Sequence, residues 1–221
     1  MQSPPEQQHM LSVSADANQE IAPDKVEIIL SVVSRGSDPA AIQSENDAKL
    51  STIKANLLQL GVPEANIKTV GYSLDRWSEY NKSQEQYVDL GYQLQNTLHV
   101  VSYDTAKAGN IVKDAVQNGA NDVSGIQFSL SDSAQKELYG TLLKKAVSEA
   151  KIKATSMASS AGVSIVSLGQ MSEGYSYVTP MANYAYKGVA DSAAGSAPEV
   201  SISAGLVKVT ASVSASYVVS G

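Results

Sequence analysis

Between Val207 and Val219 the chain places an apolar residue at every second position: Val207, Val209, Ala211, Val213, Ala215, Tyr217 and Val219. Lys208, Thr210, Ser212, Ser214 and Ser216 fall between them. Successive side chains of a strand point to opposite faces, so a period of two buries one clean face only in extended backbone. A helix would scatter the same residues around its circumference. The segment therefore predicts a long C-terminal strand. One face belongs to the core, and the other is small, hydroxyl-bearing and suited to water or another subunit.

The same period opens the chain. Leu11, Val13, Ala15 and Ala17 alternate with polar residues, and after Ala22-Pro23-Asp24 Val26, Ile28, Leu30 and Val32 alternate with Glu27, Ile29, Ser31 and Val33. Pro23-Asp24 reads as a turn or bulge between two strands. Residues 67–74 and 87–101 predict two further strands, and the polar and aromatic residues 75–85 read as an extended hairpin tip. Residues 124–130 and 163–172 predict two more.

Three helices separate these strands. Asp38 is placed to accept from the first free amides and Pro39 suits the first helical position. Ile42, Leu50, Ile53, Leu57 and Leu60 then share a face, and Gly61 reads as a left-handed cap. A second helix is expected from Asp104, carrying Ala108, Ile111, Val112, Ala115 and Val116 and ending at Asn118-Gly119. A third starts near Ser131-Asp132-Ser133. Its stripe is Leu138, Leu142, Ala146, Ala150, Ala154, Met157 and Ala161, and Gly162 ends it. Lys144, Lys145, Lys151 and Lys153 flank that stripe as a solvated face.

A weak repeat links helix–Gly61–Asn66-Ile67–Tyr72-Ser73-Leu74 to helix–Gly119–Asn121-Asp122-Val123–Phe128-Ser129-Leu130. The pattern predicts an α+β fold: mainly antiparallel sheet packed by three helices, with two βαβ-like units, a long third helix and a long C-terminal strand. Residues 1–9 read as a flexible tail. Residues 10–221 read as one domain, with two subdomains as the alternative partition. Residues 175–198, rich in Ala, Gly, Ser and Tyr with Pro180 and Pro198, read as a loop. The polar start around Pro4-Pro5 fits either a leader-proximal linker of a processed chain or a naturally loose terminus.

Chemistry is sparse. The 221 residues include no cysteine and two histidines, and the net charge is −6. The missing cysteines remove disulfides, thiol nucleophiles and Cys-ligated zinc together. An acidic chain with no Lys/Arg cluster is a poor match for nucleic acid, whose phosphates need concentrated positive charge. No apolar run approaches the roughly 18–20 residues of a membrane span. His9 falls in the expected tail, and His99 falls in a strand pattern between Leu98 and Val100. No Gly-x-Ser-x-Gly, Gly-x-x-x-x-Gly-Lys-Ser/Thr, Gly-x-Gly-x-x-Gly or His-Glu-x-x-His occurs. We expect no catalytic residue, no metal and no cofactor.

Two segments are candidates for binding. One is the tip with Arg76, Trp77, Tyr80 and Tyr87. The other is the loop with Tyr175, Tyr177, Tyr184 and Tyr186. Trp, Tyr and Arg are over-represented at interface hot spots. The plainer alternative is aromatics folded back onto their own domain. The expected partner is another copy of the chain or an unidentified protein. A small-ligand or glycan-binding module, with Trp77 and the tyrosines as stacking platforms, is the alternative.

The ordered landmarks resemble the SIMPL domain family. They are Pro23-Asp24 between two strands, Asn46 in a helix ending Leu60-Gly61-Val62, and Ile67-Lys68-Thr69-Val70-Gly71-Tyr72-Ser73-Leu74. They continue with Gly91-Tyr92-Gln93-Leu94-Gln95-Asn96 and Gly119-Ala120-Asn121-Asp122-Val123-Ser124-Gly125-Ile126-Gln127-Phe128. The Ala-rich helix to Gly162 and Ser172-Glu173 follow. The resemblance implies an extracytoplasmic protein (periplasmic, envelope-associated or secreted, its signal peptide removed). It further implies homo-oligomeric assembly, links to oxidative stress and no shared catalytic site.

Overall fold

The computed structural model describes residues 9–174, 177–181 and 204–220. Their strands are β1 (His9–Ile21), β2 (Lys25–Gly36), β3 (Ile67–Asn81), β4 (Gln86–Ser102), β5 (Asp122–Ser129), β6 (Ser164–Glu173), β7 (Tyr177–Met181) and β8 (Leu206–Ser220). Their α-helices are α1 (Pro39–Gln59), α2 (Ala108–Gln117) and α3 (Asp132–Ala161). The fold is α+β with antiparallel sheets, and it divides into two compact units. Residues 1–8, most of the expected tail, lie outside the described residues. His9 instead opens β1, opposite Val219.

One unit takes residues 23–129. Its sheet has the order β3-β4-β2-β5, with every neighbouring pair antiparallel. β2 and β3 therefore run parallel with β4 between them, and β4 and β5 run parallel with β2 between them. Each βαβ connection skips one strand, which is the split βαβ arrangement. The weak sequence repeat is the imprint of these two crossovers.

Local chemistry explains the elements. Asp38 Oδ1 accepts the Ala40 N–H at 2.9 Å and caps α1, with Pro39 in its first turn. Gly61 ends that region at φ +85°, a conformation that costs glycine little. Val26, Ile28, Leu30 and Val32 of β2 and Leu98 and Val100 of β4 are fully buried beneath Ile53 and Leu57 of α1 and Ile111 of α2. Each such side chain contributes roughly 1.5–3 kcal/mol by leaving water. Asn46 is also fully buried and donates from Nδ2 to the Val32 carbonyl at 2.9 Å, tying α1 to β2. The second helix begins later than expected. Thr105–Lys107 forms a 3-10 turn, and α2 starts at Ala108.

The other unit takes residues 9–22, 130–174, 177–181 and 205–220. β8 is its central strand. β1 pairs along one edge, while β6 and then β7 pair along the other. β7 lies within the stretch read as loop. Pro180, which has no N–H to give a ladder, is tolerated on an edge strand such as this. The apolar face of β8 and Val13 and Ala17 of β1 are buried beneath α3. The buried residues of α3 are Leu142, Ala146, Ala150, Ala154 and Ala158. Met157 and Ala161, expected in that stripe, are exposed, and Ala158 takes the buried place. Ser131 caps the helix through Ala134 N–H at 3.3 Å, and Gly162 closes it at φ +72°. The alanines let the helix backbone approach β8 closely, as a close-packed interior with small side chains allows.

Candidate interaction surface

β3 and β4 pair from Ile67↔Val100 to Asn81↔Gln86, but β2 pairs with β4 only as far as Tyr92. Beyond that point the hairpin is a two-stranded ribbon. The strands continue to Asn81 and from Gln86, so the expected long tip reduces to a turn at residues 82–85. Asn81 Oδ1 accepts from Ser83 N–H at 2.9 Å and Gln84 N–H at 3.3 Å and holds that turn.

Alternation along β3 divides the candidate residues between two faces. Arg76, opposite Tyr92, and Tyr80, opposite Tyr87, lie on the face that carries the helices over β2 and β4. Their contacts confirm the assignment. The Arg76 guanidinium stands 5.3 Å from the Tyr92 ring centre and forms an ion pair with Asp89. Tyr80 and Tyr87 meet edge to face, with centroids 5.4 Å apart. Trp77 points to the opposite face. There the Arg35 guanidinium lies 4.5 Å over its ring, and Arg35 Nε donates to Gln93 Oε1 at 2.8 Å. The tip residues thus form two sites rather than one cluster.

The ridge on the helix-side face is longer than the tip. Tyr72 and Leu74 precede Arg76 on the same face of β3, opposite Asn96 and Leu94. They are 54% and 40% exposed, and Tyr80 and Tyr87 are 52% and 74% exposed. α1 and α2 lie over β2 and β4, and among the described residues no helix covers the β3 face. Tyr72 and Leu74 were not among the expected site residues. The signal for them was the period of two through Tyr72, Leu74, Arg76 and Tyr80, which becomes visible once the strand is read through the tip.

Two bulges shape the β3-β4 hairpin. Val70 is an extra residue on β3, and Leu90 is an extra residue on β4 next to Gly91. Gly91 has φ +111°, and a Cβ there would stand 2.5 Å from the Gly36 carbonyl oxygen. Asp89 Oδ1 accepts the Gly91 N–H at 2.9 Å. That bond, and then Arg76, hold the Asp89 carboxyl below the usual carboxylate range. Bulges of this kind bend a strand and increase its twist.

The remaining sequence candidates fall elsewhere. Tyr175, Tyr184 and Tyr186 lie outside the described residues. Tyr177 opens β7, with its backbone opposite Thr210. On the outer face of the β3-β4-β2-β5 sheet, His99 Nε2 sits 2.9 Å from Glu27 Oε2, and Lys25 Nζ sits 2.9 Å from Glu27 Oε1. The Lys25 hydrogen bond is the main cause that lowers the Glu27 pKa, opposed by partial burial and aided by His99. This cluster is half-buried, and among the described residues no three metal-binding side chains converge. No described helix is long and apolar enough to cross a membrane.

No curated protein matches the chain. The family model for SIMPL, described as a protein of unknown function (DUF541), matches residues 11–217. A match over nearly the whole chain, through both units, means that this protein belongs to the SIMPL family.

Proposed function

We propose that this chain is a non-enzymatic interaction protein of the extracytoplasmic space that assembles with further copies of itself. The observation carrying the reading is the exposed ridge of Tyr72, Leu74 and Tyr80 on the edge strand β3, with Tyr87 of β4 beside it, which no described helix covers. Exposed apolar surface set among polar neighbours marks interaction sites, and an open strand edge offers unpaired amides and carbonyls to another chain. Aromatic side chains and arginine are the residues that interfaces concentrate. The cysteine-free composition is compatible with an oxidising compartment, and the absence of catalytic motifs from the sequence supports a non-enzymatic role.

Sedimentation velocity over a wide concentration range tests the assembly. A concentration-dependent species larger than one chain is expected, and a strict monomer at high concentration contradicts it. Fractionation of the producing cell tests the location, with recovery from the envelope or medium expected. The ligand-binding alternative is weaker, because Arg35 already occupies a face of Trp77. That alternative requires Trp77→Ala to abolish ligand-induced thermal stabilisation.

A further inference from the structure

Resting on the self-association reading, we infer that two copies join through β3 as an antiparallel pair centred on Leu74. The first support is position. Among the described residues β3 pairs only with β4, and no other described strand takes its second edge. The second support is the placement of the bulges. Val70 interrupts β3 on one side, and the Leu90 bulge interrupts its partner after Trp77. Between them, residues 71–77 form a regular segment whose middle residue is Leu74. A two-fold axis perpendicular to a sheet gives antiparallel strands, preserves the faces and sets each patch against its own copy.

The side chains favour this register. On the helix-side face Leu74 meets the other copy's Leu74, and Tyr72 meets the other copy's Arg76. Arg76 then lies between two rings, its own Tyr92 and the other copy's Tyr72, an arrangement that cation–π attraction favours. On the outer face the Ser73 hydroxyl meets the Asp75 carboxylate. Gly71 meets Trp77, so an indole ring covers a residue without a side chain. Like charges directly opposed destabilise a strand pair, and this excludes the nearby centres. Centring on Asp75 or Arg76 sets each against itself, and centring on Tyr72 draws the Val70 bulge into the ladder opposite Leu74. Centring on Ser73 draws the Val70 bulge into the ladder opposite Arg76.

The test uses the absence of native cysteine, so that each variant carries one thiol. Opposed Cα atoms in an antiparallel pair are about 4.5–5.5 Å apart, within the range a disulfide spans. Under diamide, which takes up the two protons and two electrons, Leu74→Cys should form a covalent dimer at least about tenfold faster than Ser78→Cys or Leu168→Cys. A second experiment covers any loss of affinity on removing Leu74. Tyr72→Cys and Arg76→Cys should cross-link when mixed and not when oxidised separately. A wild type that associates, with neither result obtained, overturns the register and leaves self-association standing. A strictly monomeric wild type overturns both.

Discussion

Asn121 meets the backbone of Val33 as another strand residue would. Its Oδ1 accepts the Val33 N–H at 2.8 Å, and its Nδ2 donates to the Val33 carbonyl at 2.7 Å. Its own N–H donates to the Ser31 carbonyl at 3.1 Å. β5 pairs with β2 only as far as Ser31↔Asp122, so the side chain carries the ladder one step further along a central strand. Asn121→Ala removes both bonds, and hydrogen bonds of this kind contribute about 0.5–1.5 kcal/mol each. We expect a loss of about 1–3 kcal/mol in urea denaturation with unchanged m, and an unaltered midpoint contradicts this role.

Two glycines should respond oppositely to alanine. At Gly91 the positive φ and the Gly36 carbonyl 2.5 Å from the built Cβ both resist a side chain. Gly91→Ala should cost about 1–3 kcal/mol or more. Gly140 lies inside α3 with nothing within 4 Å of a built Cβ. Gly140→Ala should add roughly 0.5–1 kcal/mol by lowering the entropy lost on forming the helix. Thermal unfolding of both variants reads the two signs, and a shared sign contradicts the account.

The close approach of α3 to β8 is tested at Ala150. It is fully buried, in a cluster with Val13, Ala154, Ala215 and Tyr217. Ala150→Leu should destabilise by about 1–3 kcal/mol through overpacking. Ala161→Leu, at an exposed position near the end of the helix, should fall within about 0.5 kcal/mol of wild type. Equal tolerance at both positions would show that the alanine stripe does not set the packing distance.

Glu27 predicts an acid-side dependence. Its folded pKa is lowered from the ordinary 4.5, chiefly by Lys25. A lowered folded pKa means that the ionised form is favoured on folding. The stabilisation is therefore present above pH 4.5 and disappears as pH falls through the folded value. Partly exposed pairs of this type contribute about 0.2–1 kcal/mol. Wild type should exceed Glu27→Gln by that amount at neutral pH, and the gap should close on acidification. A constant gap contradicts the linkage.

Much of the fold was legible because it rests on local rules. The strict alternation from Val207 to Val219 can bury one face only as a strand, and β8 is that strand. Asp38-Pro39, Gly61 and Gly162 marked helix ends because caps and left-handed residues narrow the choice of side chain. The repeat around Gly61 and Gly119 foreshadowed two crossovers. The tip was harder to read because both faces of a two-stranded ribbon meet solvent, and no apolar alternation is imposed on it. Without the strand assignment, Arg76, Trp77, Tyr80 and Tyr87 looked like one cluster, whereas alternation puts Trp77 on the opposite face. Its partner Arg35 comes from the far end of β2, a tertiary contact that no local pattern encodes. In α3 the expected stripe followed Met157, but successive steps of four put Ala158 in line with Ala146, Ala150 and Ala154.

The proposed joining of copies rests on the exposed ridge of β3. Sedimentation velocity of wild type beside Leu74→Lys tests it most directly. Like charges opposed across a strand pair destabilise it, so the lysine should break the association while the far-ultraviolet circular dichroism remains that of wild type. An associating wild type and a monomeric, folded Leu74→Lys are expected. A wild type that stays monomeric at high concentration, or an association that Leu74→Lys leaves intact, would contradict it.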